Sequence, residues 1–378
     1  THAAVMQGHV AALEALARAG APLAQPDTDG NTPAHWAAAC GHSAALEALA
    51  RAGAALGAPN NVGFTPAYWA AVRGHVTTLE ALAGAGAPLD EPDVGGCTPA
   101  HAAAAGGHAA ALEVLARAGA ALGSPDTTGF TPAHWAAVQG HVATLEALAR
   151  AGAPLDAPDA QGRRPAHAAA AAGHAAVIKV LARAGVQLDA PSEAGLTPAH
   201  LAAFYGHPAA LQALARAGAP LCQPDSVGST PAHCAANNAQ AAALEALARS
   251  GAPLDQPDAN GNAPAHCAAN SGHAAALEAL ARAGAPLGTR NRVGADSVMV
   301  TAARGHVAAL DALARAGVPL DAEHEIGITA AHVAATMGRS AVLDALARAG
   351  GPRGQPREGG NTPPHAAAKH GAAAANEA

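Results

Sequence analysis

The sequence predicts an all-α, helix-rich solenoid, with helix–turn–helix units joined by short β-turn or hairpin loops and stacked as one array over residues 1–378. Three observations predict it. A motif recurs at a fixed interval of 33 residues, Gly and Pro punctuate the units at fixed phases, and the apolar content is almost wholly alanine and leucine. Half of the residues count as hydrophobic, yet only 2% are aromatic. Small side chains on that scale suit closely packed helices and cannot by themselves fill one large globular core.

The interval is unbroken. A Thr-Pro-Ala-His-like block begins at Thr32, Thr65, Thr98, Thr131, Arg164, Thr197, Thr230, Ala263, Asp296, Thr329 and Thr362, always 33 residues apart. A Gly stands two residues before each block, from Gly30 to Gly360, and a pair such as Gly41-His42 or Gly140-His141 follows in most units. His2 and His9 fall in the same register, so the chain opens inside an earlier unit. The array therefore has twelve units, the first and last incomplete.

One unit, from Asp27 to Pro59, shows why each element forms. Pro26 to Gly30 reads as a turn, with Pro presetting φ and Gly free to take φ > 0. Thr32 is a good N-cap and Pro33 suits the first helical position. A short helix then runs from Ala34 to Cys40 and stops at Gly41. A second helix runs from Ser43 to Arg51, with Leu46 and Leu49 on one face and Gly53 as its C-terminal stop. Pro22-Leu23 marks the extended exit of the preceding unit. Neither helix buries its apolar face alone, so stacked neighbours supply the core.

Gly-x-Thr-Pro-Ala-His-x-Ala-Ala-x-x-Gly-His resembles the signature of ankyrin repeats, and the match covers essentially the whole chain. The resemblance implies L-shaped units of a β-turn and two antiparallel helices in a curved solenoid, with a concave surface made by turns and first helices. Ala stands where the family usually has Leu in the block, which is expected to bring helices closer and alter the curvature. The unit at Asp296 has lost the Thr-Pro-Ala-His block, so a different start is expected for its first helix.

Composition excludes several functions. A net charge of −7 spread over this length is a weak field and argues against nucleic-acid binding. The alanine-rich stretches are interrupted by Gly, Pro, His and Arg, which argues against a membrane span. The opening residues Thr1–Met6 lack a charged region followed by an apolar core, so no signal peptide is expected there. Five cysteines make no disulfide framework, which favours an intracellular, reducing compartment, the cytoplasm or an organelle. The ends, which lack clear capping units, lead us to expect that the protein continues or docks there.

Residues with chemical potential have framework readings. Of the 21 histidines, only His324 and His370 fall outside two fixed phases, those of His35 and His42. Stacking spreads equivalent side chains by roughly 8–10 Å, too far for a shared zinc ion with ligands at about 2.0–2.3 Å. The resemblance instead implies hydrogen bonds that tie each turn to its neighbour. Cys234 and Cys267 share a phase, too far apart for a disulfide, and are expected as buried or groove-lining thiols. Glu14/Arg18, Glu47/Arg51 and their equivalents are spaced for pairs within each second helix, forming a solvated stripe. No phosphate loop, His-Glu-x-x-His or Gly-x-Ser-x-Gly motif occurs, and neither catalysis nor a cofactor or metal is expected.

Specificity then resides where the units differ. Those positions are the turns, the residue after the turn Gly, the residue after the block His and the pair before Gly-His. They contain Trp36, Phe64, Trp69, Arg73, Phe130, Trp135, Gln139, Phe204 and Tyr205, the expected protein-binding residues. For the tryptophans two roles stay open, binding anchor or packing between first helices, while Phe64, Phe130, Phe204 and Tyr205 are expected to be exposed. The expected function is a scaffold that binds partner proteins on its concave face. The alternatives are an accessory subunit bracing a large assembly and the regulatory arm of a longer enzyme.

Overall fold

Thr32 has an extended backbone, with φ −80° and ψ 166°, and the chain turns helical at the following proline, giving a first helix Pro33–Cys40. Gly41 stops that helix in the left-handed region at φ 76°, and the second helix runs Ser43–Arg51. Both agree with the expected bounds to within a residue. The computed structural model describes residues 1–323, 328–349 and 362, and among these the pattern repeats as twenty-two helices with no strand. No helix among the described residues is long and apolar enough to cross a membrane. The expected unit at Thr362 lies outside the described residues except for Thr362 itself.

Two compact units are resolved. One comprises Thr1–Ala169 with Ala176–Gln187, the other Ala170–Ala175 with Leu188–Ala378. Within each, three sets of contacts join a repeat to the next.

The turns form a backbone ladder. In the first unit Asn61 N–H donates to Asp29 O at 3.1 Å, Thr127 to Gly95 O at 3.0 Å and Ala160 to Thr128 O at 3.2 Å. In the second, Ser226 donates to Ala194 O at 3.3 Å, Ala259 to Val227 O and Arg292 to Asn260 O, both at 3.2 Å. This close approach explains the turn glycine. At Gly63, with φ +88°, a Cβ would lie 2.8 Å from Asp93 Cα and 2.9 Å from Val94 N, so both backbone conformation and space demand glycine.

Histidines make the other two ladders. His35 Nδ1 accepts the Thr32 N–H at 3.0 Å, which leaves the ring proton on Nε2 to donate to Phe64 O at 2.8 Å in the next repeat. His101, His134, His200, His233 and His266 repeat the arrangement. The second set reaches backwards, as His75 Nε2 to Ala39 O at 3.2 Å and His108 Nε2 to Val72 O at 3.0 Å. A Cβ on Gly74 would come within 2.5 Å of the His108 ring. The Gly-His pair is thus one device, the glycine of one repeat making room for the histidine of the next.

Within each unit the core lies between the ladders. Ala37 and Ala38 of the first helix and Ala45, Leu46 and Leu49 of the second are fully buried, and every complete described repeat contributes equivalents. Each fully buried Leu contributes about 1.5–3 kcal/mol relative to exposure.

Two expectations change. Among the described residues the arginines of the second helices form no ion pair with the carboxylate of the glutamate one turn earlier. Arg51 reaches Glu14 at 3.1 Å, Arg150 reaches Glu113 at 2.7 Å and Arg282 reaches Glu245 at 2.6 Å, each glutamate lying in the preceding repeat. Stacked second helices bring that carboxylate within reach of the long guanidinium. The first helix after Asp296 also keeps the ordinary start. It spans Ser297–Arg304, and the Asp296 side chain caps it by accepting from Met299 N at 2.8 Å. An aspartate replaces the threonine–histidine pair as the cap.

Candidate functional site

Every Trp, Tyr and Phe of the chain lies on a turn or on a first helix or its cap. The turns that position them are closed by Asx side chains. Asp27 Oδ1 accepts from Asp29 N at 3.0 Å and Asn31 N at 2.9 Å, and its Oδ2 accepts from the Trp36 indole N–H at 3.0 Å. Asp126 repeats the pattern, taking the Thr128 and Phe130 N–H groups at 2.8 and 2.9 Å and the Trp135 indole at 3.3 Å. Burial works to raise the Asp126 pKa, but the Thr128 hydroxyl, the two backbone donors and the indole together hold it below the usual carboxylate range. The carboxylate therefore stays charged and fixes turn and indole together.

Asn60 occupies the same phase with a different outcome. Its Oδ1 closes the turn through Val62 N and Phe64 N at 3.1 and 2.9 Å, while its Nδ2 donates to Asn31 Oδ1 at 2.8 Å. An amide nitrogen cannot accept an indole N–H. Trp69 is instead held edge-on to Phe64, with centroids 5.8 Å apart, and Phe64 stacks on Tyr68 at 4.3 Å. In the other cluster Phe130 stacks on His134 at 5.0 Å, meets Trp135 edge-on at 5.9 Å and lies under the Arg163 guanidinium at 5.8 Å. Cation–π contact of this kind adds about 0.5–1 kcal/mol at a partly exposed site.

The structure thus places the expected residues in two classes. Trp36, Trp69 and Trp135 are half-buried, so each ring packs in part and stays accessible in part. Phe64 and Phe130 are half-buried too, contrary to their expected exposure, because the neighbouring Trp and the stacked Tyr68 or His134 cover them. Arg73 and Gln139, in one phase at the ends of the helices Pro66–Arg73 and Pro132–Gln139, are exposed. In the second unit Phe204 and Tyr205 are 43% and 54% exposed, edge-on to each other with centroids 5.0 Å apart.

Sequence reading passed over other surface features. Val62 and Val94 lie on adjacent turns, exposed by 46% and 79%, and the Val94 N–H donates to Val62 O at 3.4 Å. Arg163, tied to Asp159 at 2.9 Å, covers one face of Phe130. Only their positions in variable phases signalled them.

The remaining reactive groups are quiet. Cys234 and Cys267 are free and half-buried, and burial pushes their thiols up to about 12 and about 11, so neither forms a thiolate near neutrality. Burial also holds the imidazoles of His35, His101, His134, His200 and His233 below their ordinary value, against the carbonyls they bond, which pull the other way. Among the described residues no three His, Cys, Asp or Glu side chains converge as a metal would require.

Family models agree with this architecture. A model described as ankyrin repeats in three copies matches residues 1–93 and 214–291, one described as ankyrin repeats in many copies matches 133–182, and a single ankyrin repeat matches 194–226. No curated protein matches the chain significantly.

Proposed function

Because the chain belongs to the ankyrin-repeat family, we propose that it is a scaffold that holds a partner protein on the face made by its turns and first helices. Ankyrin repeats are generally protein–protein interaction modules. The observation that carries the finer reading is the segregation of side chains: every aromatic residue is on turns, first helices or their caps, whereas the second helices carry exposed Glu–Arg pairs between repeats. Exposed pairs of that kind contribute about 0–1 kcal/mol and offer little to a partner.

The proposed binding residues are Trp36, Phe64, Trp69, Arg73, Phe130, Trp135 and Gln139 in the first unit and Phe204 and Tyr205 in the second. Rings already fixed by an Asx carboxylate or by each other lose little freedom when a partner covers them. Arg73 and Gln139 supply a polar rim around the half-buried anchors. Reading the two units as one continuous 1–378 array belongs to the same proposal.

A native pull-down with mass spectrometry tests it, comparing wild type with Arg73→Ala/Gln139→Ala and with Phe204→Ser/Tyr205→Ser. These side chains are exposed, so the melting temperature should stay unchanged while specific partners disappear. Partners that persist with both variants would overturn the assigned face.

A further inference from the structure

The second unit contains a groove of about 780 Å³ on the turn and first-helix side, where the helices Ser297–Arg304 and Ala330–Thr336 lie side by side. Its apolar lining includes Val293, Met299, Val300, Ile328, Val333 and Met337. Two of the three methionines of the chain are here, Met299 buried to 4% exposure beneath the groove and Met337 exposed at 56%. Val293, at the turn, is 76% exposed. Methionine is pliable and polarisable, suited to accepting side chains of varied shape.

The charged lining is of one sign. The polar lining consists of Asn270, Arg304 and Arg339, with no carboxylate among the described residues. Arg304 is held through Nε by Asn270 Oδ1 at 2.9 Å. Arg339 stands at the phase of the backward-reaching histidines and takes over their bond, its Nε donating to Ala303 O at 3.2 Å. A histidine would end there. The arginine keeps two further NH2 groups, and neither Arg304 nor Arg339 pairs with a carboxylate among the described residues. Two anchored guanidiniums therefore flank an apolar trough in a chain whose net charge is −7.

We infer that this groove binds an acidic–hydrophobic peptide segment of a partner protein. An aliphatic or aromatic side chain sits over Met299, Val300 and Val333, and a neighbouring carboxylate pairs with Arg304 and Arg339. Charge complementarity selects this occupant: the fork of an arginine already fixed through Nε is preorganised for a carboxylate. The inference rests on the protein-binding reading above and gives one surface of it a partner chemistry.

The test is selection of a random-peptide phage library on the full chain, followed by fluorescence anisotropy with the selected peptides. Peptides carrying Asp or Glu beside an apolar residue are expected, weakened about tenfold or more by Arg304→Glu or Arg339→Glu and by Met337→Asp. All three side chains are exposed, and unchanged melting would exclude misfolding. Affinity should also fall as salt rises. Peptides without acidic residues, or acidic peptides indifferent to all three substitutions, would overturn the inference. So would a sedimentation shift from dimer to monomer in Met337→Asp, which would make the occupant a second copy. Peptides lost only with Arg73→Ala/Gln139→Ala or Phe204→Ser/Tyr205→Ser would overturn the groove while leaving the scaffold reading standing.

Discussion

The two units share their joints and differ in what they display. In the first, aspartate-tethered indoles and stacked rings occupy the variable phases. In the second, the same phases hold Phe204 and Tyr205, then the thiols of Cys234 and Cys267, and finally Val300, Val333 and Met337, while Met299 and Arg339 stand at histidine phases. The joints do not register the change. His134 bonds Arg163 O at 3.1 Å and His233 bonds Asn262 O at 2.8 Å, although an arginine follows the turn in one case and an asparagine in the other. At these joints the displayed residue changes without altering the bond, whereas Arg339 stands at a joint position and also lines the groove.

The strongest way to break that comparison is through the core. Leu148→Ala in the first unit and Leu247→Ala in the second remove fully buried side chains and should each cost about 2–5 kcal/mol. Hydrogen exchange on each variant would measure the loss locally, since a stacked array need not unfold in one step. Unequal losses outside that range would show that the units are not built alike.

Asp126→Ala should come next, at about 1.5–3 kcal/mol, because a charged acceptor of several hydrogen bonds is lost. Trp135 fluorescence should shift towards that of an untethered indole, and an unchanged spectrum would show that the carboxylate does not hold the ring. The same replacement at Asn60, which does not hold Trp69, should leave Trp69 emission nearly unaltered.

Acid should act on both units together. His35, His101, His134, His200 and His233 have folded pKa values below the unfolded value of 6.5, so the unfolded chain takes up protons first as pH falls. Stability is whole above about pH 6.5 and declines as pH drops towards and through the folded values. Protonation of Nδ1 also removes the acceptor for the Thr N–H. Melting temperature against pH checks this, and a flat profile from pH 7 to 5 would contradict it.

The smallest effect is a gain. Ala239 stands at φ 59° where most repeats have the left-handed glycine of the Gly-His pair. Ala239→Gly should relieve about 1–2 kcal/mol of backbone strain, offset by about 0.4–1 kcal/mol of added unfolded-state freedom. A melting temperature lowered by the substitution would show that the alanine is not strained.

Much of this was legible in the sequence because the signals were local and repeated. Thr32, Pro33, Gly41 and Gly53 each act within a few residues, so helix bounds follow from them directly. The phase of the histidines marked them as framework before any distance was known. Pairing across repeats was harder to read. Arg51 has Glu47 one turn away and Glu14 a whole repeat earlier, and only the stacking geometry selects the second. The covering of Phe64 by Tyr68 and the orientation of Trp36 depend on neighbouring rings and on a turn carboxylate, which spacing alone does not order. The groove was hidden because its signs looked like losses: a missing block at Asp296 and an arginine in a histidine's place.

The histidine ladders end on main-chain carbonyls, at Phe64 O, Phe130 O and Ser229 O, rather than on side chains. A mutation at any of these positions leaves its neighbour's bond intact. Inheritance can therefore copy a block of 33 codons, insert it in register and let the displayed residues drift, while the copied joint closes as before.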